Sequence, residues 1–250
     1  MSALQPLDIL VIAPHPDDAE LLCGGLLLKA KQAGKRIGVV DLTRGEMGTR
    51  GSIETRAKEA AAATRLMDLD ARENLGLRDG YLIQDPNLLS AIVRMLRKYR
   101  PACVLAPHWE DQHPDHAAAG QAILHAAFMT GVSKFEPDTG EGVVSVDALP
   151  YRPSVVLHYN NRYGIAADVI FNIADVFEQK LKLVDCYASQ FGPGEATGDG
   201  NAEPQTRLSH SNFIEWFRGL HTFYGYQIGA RYGEAYCVKQ PLRGTLSLLD

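Results

Sequence analysis

The 250-residue chain has no Cys-x-x-Cys pair; Cys23, Cys103, Cys186 and Cys237 stand far apart. A disulfide framework or a thiolate zinc site therefore has no support, and buried free thiols in a reducing cytoplasm are expected. Basic residues are not in excess. Lys and Arg number 25 against 30 Asp and Glu, a formal net charge of −5, which argues against nucleic acid as the main partner. No apolar run approaches the roughly 20 residues that cross a bilayer, so no membrane contact is expected. The N-terminus lacks the basic and apolar regions of a signal peptide, so a cytoplasmic protein is expected. Neither an internal repeat nor a linker composition interrupts the chain, which reads as one domain over residues 1–250. A Gly-x-Gly-x-x-Gly after the first apolar run is missing too, which counts against a non-catalytic, nucleotide-holding module of Rossmann type.

What is present is an alternation. Short apolar runs at 8–13, 36–43, 73–77 and 102–107 are strand-like, and helical stretches follow at 20–34, 54–67, 88–99 and 113–128. Such alternation predicts an α/β fold, Rossmann-like, with a mostly parallel sheet flanked by helices on both faces. Ligands of such sheets bind beyond the carboxyl ends of the strands. The second half is less regular. Strands are expected at 154–160 and 168–173 and a helix over 173–184 with Asp175 at its start. Residues 191–206 carry Gly, Pro and small polar residues, which suits a lid or a solvated connection equally well.

Two stretches at the carboxyl edge echo one another: "VIAPHPDD" at 11–18 and "LAPHWEDQHPDH" at 105–116. Three of the eight histidines, His108, His113 and His116, fall within nine positions. Pro16 suits the first helical position with His15 as cap, and Pro114 with His113 repeats the design. His15 and Asp18, three residues apart, then share one side of a first turn, while Asp17 points elsewhere. If the first and fourth strands are neighbours, a His-Asp pair from one helix start and a His from the other give three ligands. Three protein ligands with an open position are the pattern of catalytic zinc, whereas a structural site is closed by four. His108 reads as a strand end, His125 as a packed helix residue, and His158, His210 and His221 as surface or core residues.

The pair His15-Pro16-Asp17-Asp18 and His113-Pro114-Asp115-His116 resembles the PIG-L/LmbE-like zinc deacetylase family across most of the chain. The stretches at 43–51, 109–116 and 151–153 and the ending "IGARYGEAYCVKQPL" are similar to the N-acetylglucosaminyl-malate deacetylases of bacillithiol biosynthesis. The resemblance implies hydrolysis of an N-acetyl group from a glucosamine conjugate with one Zn²⁺ per chain, for which Fe²⁺ or another divalent metal could stand. His15, Asp18 and His116 match its metal ligands and Asp17 its general base. His113 matches a stabiliser of the oxyanion, and Asp115 would orient a neighbouring histidine. The chain departs from the pattern in two places. Ala19 separates Glu20 from the aspartates, and Gln112 stands where some relatives carry Arg.

For the substrate, Arg44 and Arg50 flank the glycines of "TRGEMGTRG" and would suit the two carboxylates of malate. Arg56 matches a substrate-binding arginine of the family. Asp79 would meet sugar hydroxyls, and Trp109 either stacks on the sugar or packs. The expected partners are a small-molecule glycoside and further copies of the chain. The rival substrates are an inositol-linked thiol precursor and an antibiotic intermediate.

Overall fold

A computed structural model describes residues 5–137, 150–159, 166–192 and 204–240. The apolar runs form β1 (Ile9–Ala13), β2 (Ile37–Thr43), β3 (Ala71–Leu77) and β4 (Cys103–Pro107), followed by β5 (Val155–Tyr159), β6 (Val169–Asn172) and β7 (Gly233–Cys237). Between them lie α1 (Asp18–Gln32), α2 (Ile53–Met67), α3 (Leu88–Tyr99), α4 (Pro114–Met129), α5 (Phe177–Asp185), α6 (Ala188–Phe191) and α7 (Phe213–Gln227). The seven strands make one sheet in the order β3-β2-β1-β4-β5-β7-β6. Strands β1 to β5 pair in parallel, and β7 runs antiparallel to both β5 and β6. The chain steps outward from β1 through β2 to β3, then returns to place β4 on the other side of β1. That reversal is the topological switch point of an open α/β sheet, where ligands gather.

Alternation along β1 divides the core. Val11 and Ala13 join the residues of α1, α5 and α7 on one face, whereas Leu10 and Ile12 join those of α3 and α4 on the other. The central strands β1, β2 and β4 are buried on both sides because helices cover both, whereas the edge strand β3 is half-exposed. Among the described residues no helix is long and apolar enough to cross a membrane. All four cysteines are free, Cys23 and Cys237 buried, Cys103 and Cys186 only half-buried.

The structure departs from expectation at several points. Helix α1 starts at Asp18, so Pro16 is not its first residue and His15 is not its cap. Asp175 does not cap α5, whose N-cap is Val176; its carboxylate instead takes Lys29 Nζ at 2.9 Å. Helix α7 buries Phe213, Phe217, Leu220 and Tyr224 at helical spacing, and β7 is buried along its whole length. Their partner is distant. Glu234 of β7 reaches α1, where its carboxylate accepts the N–H groups of Gly25 at 2.9 Å and Leu26 at 2.8 Å. Gly25 permits that approach, since a Cβ there would lie 2.8 Å from Glu234 Oε2. The loop expected over 191–206 falls mostly outside the described residues.

Candidate metal centre and active site

The carboxyl ends of β1 and β4 each deliver an Ala-Pro-His segment to the same edge. Pro14 is pinned by β2: Thr43 donates to its carbonyl through N–H at 3.0 Å and through Oγ1 at 2.9 Å. Pro107 is pinned by β5, where His158 Nδ1 lies 2.7 Å from its carbonyl oxygen. Beyond Pro14 the backbone turns sharply through Asp17, which caps α1 at φ 129° and ψ −26°. An aspartate in that glycine-favouring region costs on the order of 1–3 kcal/mol, and such outliers cluster at functional sites. What holds Asp17 there is Arg56, a buried residue of α2. Its Nη2 sits 3.0 Å from Asp17 Oδ1 and also donates to the Pro16 carbonyl.

The second motif is relaxed. His113 caps α4 from extended backbone, its Nδ1 accepting the Asp115 N–H at 3.3 Å, with Pro114 in the first helical turn. Asp115 is fully buried, and its carboxylate accepts the N–H groups of Gly80 at 2.7 Å and Leu82 at 3.1 Å.

Three atoms then converge. Asp18 Oδ2 lies 3.3 Å from His15 Nδ1 and 3.2 Å from His116 Nε2, and one donor atom from each residue falls within 4.8 Å of the others. His15, His113 and Asp115 form a second group of that span. The first fits a metal better: Asp18 Oδ2 accepts one backbone N–H, that of His15 at 2.9 Å, whereas in the second His113 Nδ1 and both Asp115 oxygens are engaged by backbone N–H groups. In the first trio the outward nitrogens both face carboxylates, that of His15 within hydrogen-bond reach and that of His116 at ion-pair distance only. His15 Nε2 faces Asp79 Oδ1 at 3.1 Å and Asp115 Oδ2 at 3.6 Å, and His116 Nδ1 faces Asp111 Oδ2 at 3.5 Å. A carboxylate behind each histidine fixes ring and tautomer and raises ligand basicity.

Electrostatics follow from that packing. Burial works against charge on His116, but Asp18 and Asp111 outweigh it and raise its pKa to about 9. His15 is raised as well, since Asp115, Asp18 and Asp79 overcome its burial. Burial would raise Asp18, yet the two imidazoles hold it well below the usual carboxylate range. Two basic nitrogens around an ionised carboxylate make a donor set that exchanges protons for a divalent cation. Asp17 behaves differently: burial pushes its carboxyl up to about 7, although Arg56 pulls the other way.

The remaining residues named from the sequence make these contacts. Asp79 is turned to His15, and its second oxygen accepts the Met47 N–H at 2.8 Å, so both oxygens are spent on protein partners. The Arg56 guanidinium faces Asp17 and Pro16, and Arg50 Nη1 donates to the Gly192 carbonyl at 3.0 Å. Arg44 is exposed. Trp109 packs, stacked on His108 at 4.0 Å and edge-on to His158 at 4.8 Å. His125 is exposed rather than packed. Glu20 gains a structural partner in Arg72 at 2.5 Å, and Arg72 also grips Asp41 at 2.9 and 3.0 Å. Asp111 escaped the sequence reading altogether; its signal was an acid five residues before His116 in "WEDQHPDH".

The PIG-L family model, described as GlcNAc-PI de-N-acetylase, matches residues 10–127 and so spans both motifs. A conserved protein of Thermus thermophilus has a solved structure that is 34% identical, covers 96% of this chain and 97% of its own, and superposes with a TM-score of 0.80. The chain belongs to the PIG-L family. Among its curated PIG-L relatives, the diacetylchitobiose deacetylase of Thermococcus kodakarensis is 28% identical over 236 residues, 90% of this chain and 80% of that protein. A probable N-acetyl-alpha-D-glucosaminyl L-malate deacetylase 2 of Bacillus anthracis is 26% identical over 198 residues, 73% of this chain and 81% of that one. The PIG-L match ends within α4. Helices α5 and α7 and strand β7 lie in the part of the chain beyond it.

Proposed function

We propose that this protein is a zinc-dependent hydrolase that removes the N-acetyl group from an N-acetylglucosamine conjugate. The observation that carries the reading is the convergence of His15 Nδ1, Asp18 Oδ2 and His116 Nε2, each histidine backed by a carboxylate. Zinc held by these three residues would supply Lewis acidity to the acetyl carbonyl and acidify water near neutral pH. The chain's own residues supply the proton traffic. Asp17, with a carboxyl near pH 7 and next in sequence to Asp18, takes a proton from water and returns it to the departing amine. Arg56 aims that carboxylate. His113 donates to the developing oxyanion, and it can do so while neutral. Its Nδ1 is the acceptor in the cap of α4, so the ring proton resides on Nε2. Burial and the neighbouring His15 and His116 lower its pKa, which favours that neutral form.

The narrower reading, N-acetylglucosaminyl-malate as substrate, draws support from the motif resemblance and from the Bacillus anthracis relative. N,N′-diacetylchitobiose is the second candidate, supported by the Thermococcus kodakarensis relative. The test measures acetate release from the malate conjugate, an inositol conjugate, diacetylchitobiose and free N-acetylglucosamine by zinc-loaded protein, with bound zinc quantified alongside. Release from one or more conjugates is expected. Zinc-loaded protein that releases no acetate from any of them overturns the proposal.

A further inference from the structure

Next to the centre lies a cavity of about 530 Å³ whose two ends differ chemically. One end belongs to the loop before α4, where Asp111, Gln112 and His113 line it. These residues tie it to the centre: Asp111 Oδ2 stands 3.5 Å from His116 Nδ1, and the His113 ring lies 4.8 Å from that of His15. The opposite wall is made by α1 and α7 and is apolar, with Leu22, Phe213, Trp216, Phe217 and Leu220. Leu208 joins it, and Arg207 lies with its guanidinium 5.7 Å from the Trp216 ring centre.

Arg207, His221, Tyr224 and Glu234 also bring polar atoms to this side, and of these His221 and Glu234 are engaged from behind. Glu234 Oε1 accepts from Leu26 N–H and from Tyr236 OH at 2.7 Å. Its Oε2 accepts from Gly25 N–H and from Lys180 Nζ at 2.6 Å. His221 donates from Nδ1 to the Phe217 carbonyl at 2.9 Å and accepts Lys180 Nζ on Nε2 at 2.9 Å. Arg207 at the exposed rim can meet an anion, whereas deeper in, among Phe213, Phe217 and Leu220, a hydrocarbon group gains from burial.

We infer that this cavity is the aglycone subsite and that it takes an apolar group, alkyl or aryl, attached to N-acetylglucosamine. The inference rests on the deacetylase reading and narrows its substrate class to conjugates whose aglycone carries an apolar group. Polar Asp111, Gln112 and His113 lie where the sugar meets the reacting centre, and the α1–α7 wall receives what the sugar carries.

The test compares kcat/KM for methyl, hexyl and phenyl N-acetylglucosaminides and the malate conjugate. Hexyl and phenyl glycosides should exceed the methyl glycoside by about tenfold or more, since several methylene groups are buried. Leu208→Trp and, deeper, Leu220→Trp fill the cavity and should bring the hexyl-to-methyl ratio towards one. A wild-type ratio near one, a malate conjugate preferred over hexyl, or a ratio unchanged in both variants overturns the inference while leaving deacetylation intact. If no glycoside releases acetate, the deacetylase reading falls by itself, and binding decides the rest. Saturable tryptophan fluorescence change with hexyl glucosaminide, absent with methyl and absent in Trp216→Phe, keeps the apolar subsite; no such change removes it.

Discussion

The two His-Pro-Asp segments differ more in structure than in sequence. The second is a helix start of low strain, with Pro114 in the first turn and the His113 ring as cap. The first bends through Asp17 at φ 129°, has no side-chain cap, and depends on Arg56 of another helix to stay there. Nearly identical letters thus give a relaxed and a strained turn. The difference shows where local propensity ends: the tertiary ion pair to Arg56, rather than Pro16, decides where α1 begins. In the functional reading, the strained copy supplies two ligands and the base. The relaxed copy supplies one ligand and a hydrogen-bond donor.

Substitutions can break that division of roles. The largest effect is expected from His116→Ala, which removes the only ligand from the second segment. Zinc content after dialysis should fall to background and acetate release should vanish; zinc retained at one per chain would exclude His116 from the ligand set. Asp17→Asn should keep the zinc but lower kcat by about 100- to 10,000-fold, the range of general acid–base catalysis. Activity near wild type would return Asp17 to a purely structural role. His113→Ser keeps a capping oxygen and removes the imidazole, so kcat should drop by roughly 100- to 1000-fold with the thermal midpoint little changed.

Acid should separate the anchors of the two segments. Thr43, which pins Pro14, does not titrate, whereas His158, which pins Pro107, does. Burial, with lesser effects of His108 and Lys239, lowers the His158 pKa from 6.5 to about 4. Between those values the unfolded chain binds a proton that the folded chain refuses. The stabilisation is complete above about pH 6.5 and lost as pH falls towards 4, up to about 3 kcal/mol. Denaturant unfolding at pH 7.5 and 4.5 measures it, and His158→Asn should flatten the difference; an equal slope in both proteins would refute the assignment. The smallest effect is the cap itself. His113→Ala should be about 1 kcal/mol less stable than His113→Ser.

Much of this was legible beforehand. The strands β1 to β4 and the helices after them were readable because each is an apolar run followed by a capped or periodic segment. The spacing pointed to His15 with Asp18 and to a histidine of the second motif at two helix starts, and the family resemblance picked His116 out of that second motif. The carboxylates behind the histidines were harder. Asp115 follows from the motif, but Asp79 and Asp111 act through contacts that no local pattern encodes, and Asp79 looked equally suited to a sugar. Arg50 was expected at the substrate for its charge and Arg56 for its match to a family arginine. The structure turns them towards Asp17 and Gly192, because a buried guanidinium takes the nearest acceptors. Helix α7 was legible, since Phe213, Phe217, Leu220 and Tyr224 recur at helical spacing, although it was not among the expected helices. The tie of β7 to α1 through Glu234 is a contact no local pattern encodes.

The grip of Glu234 on Gly25 and Leu26 also bears on the order in which the molecule can be completed. The two ends of that contact are 209 residues apart. A growing chain, lengthening at roughly 5–20 residues per second, exposes both His-Pro-Asp segments long before β7 leaves the ribosome. Until then Lys180 has no carboxylate, and the middle of α1 lacks the acceptor that fixes its seat against the sheet. The same helix carries Asp18 at its first turn. Synthesis therefore delivers the chemistry first and the clamp last, and a nascent chain stopped before Glu234 should hold zinc more loosely than the finished protein.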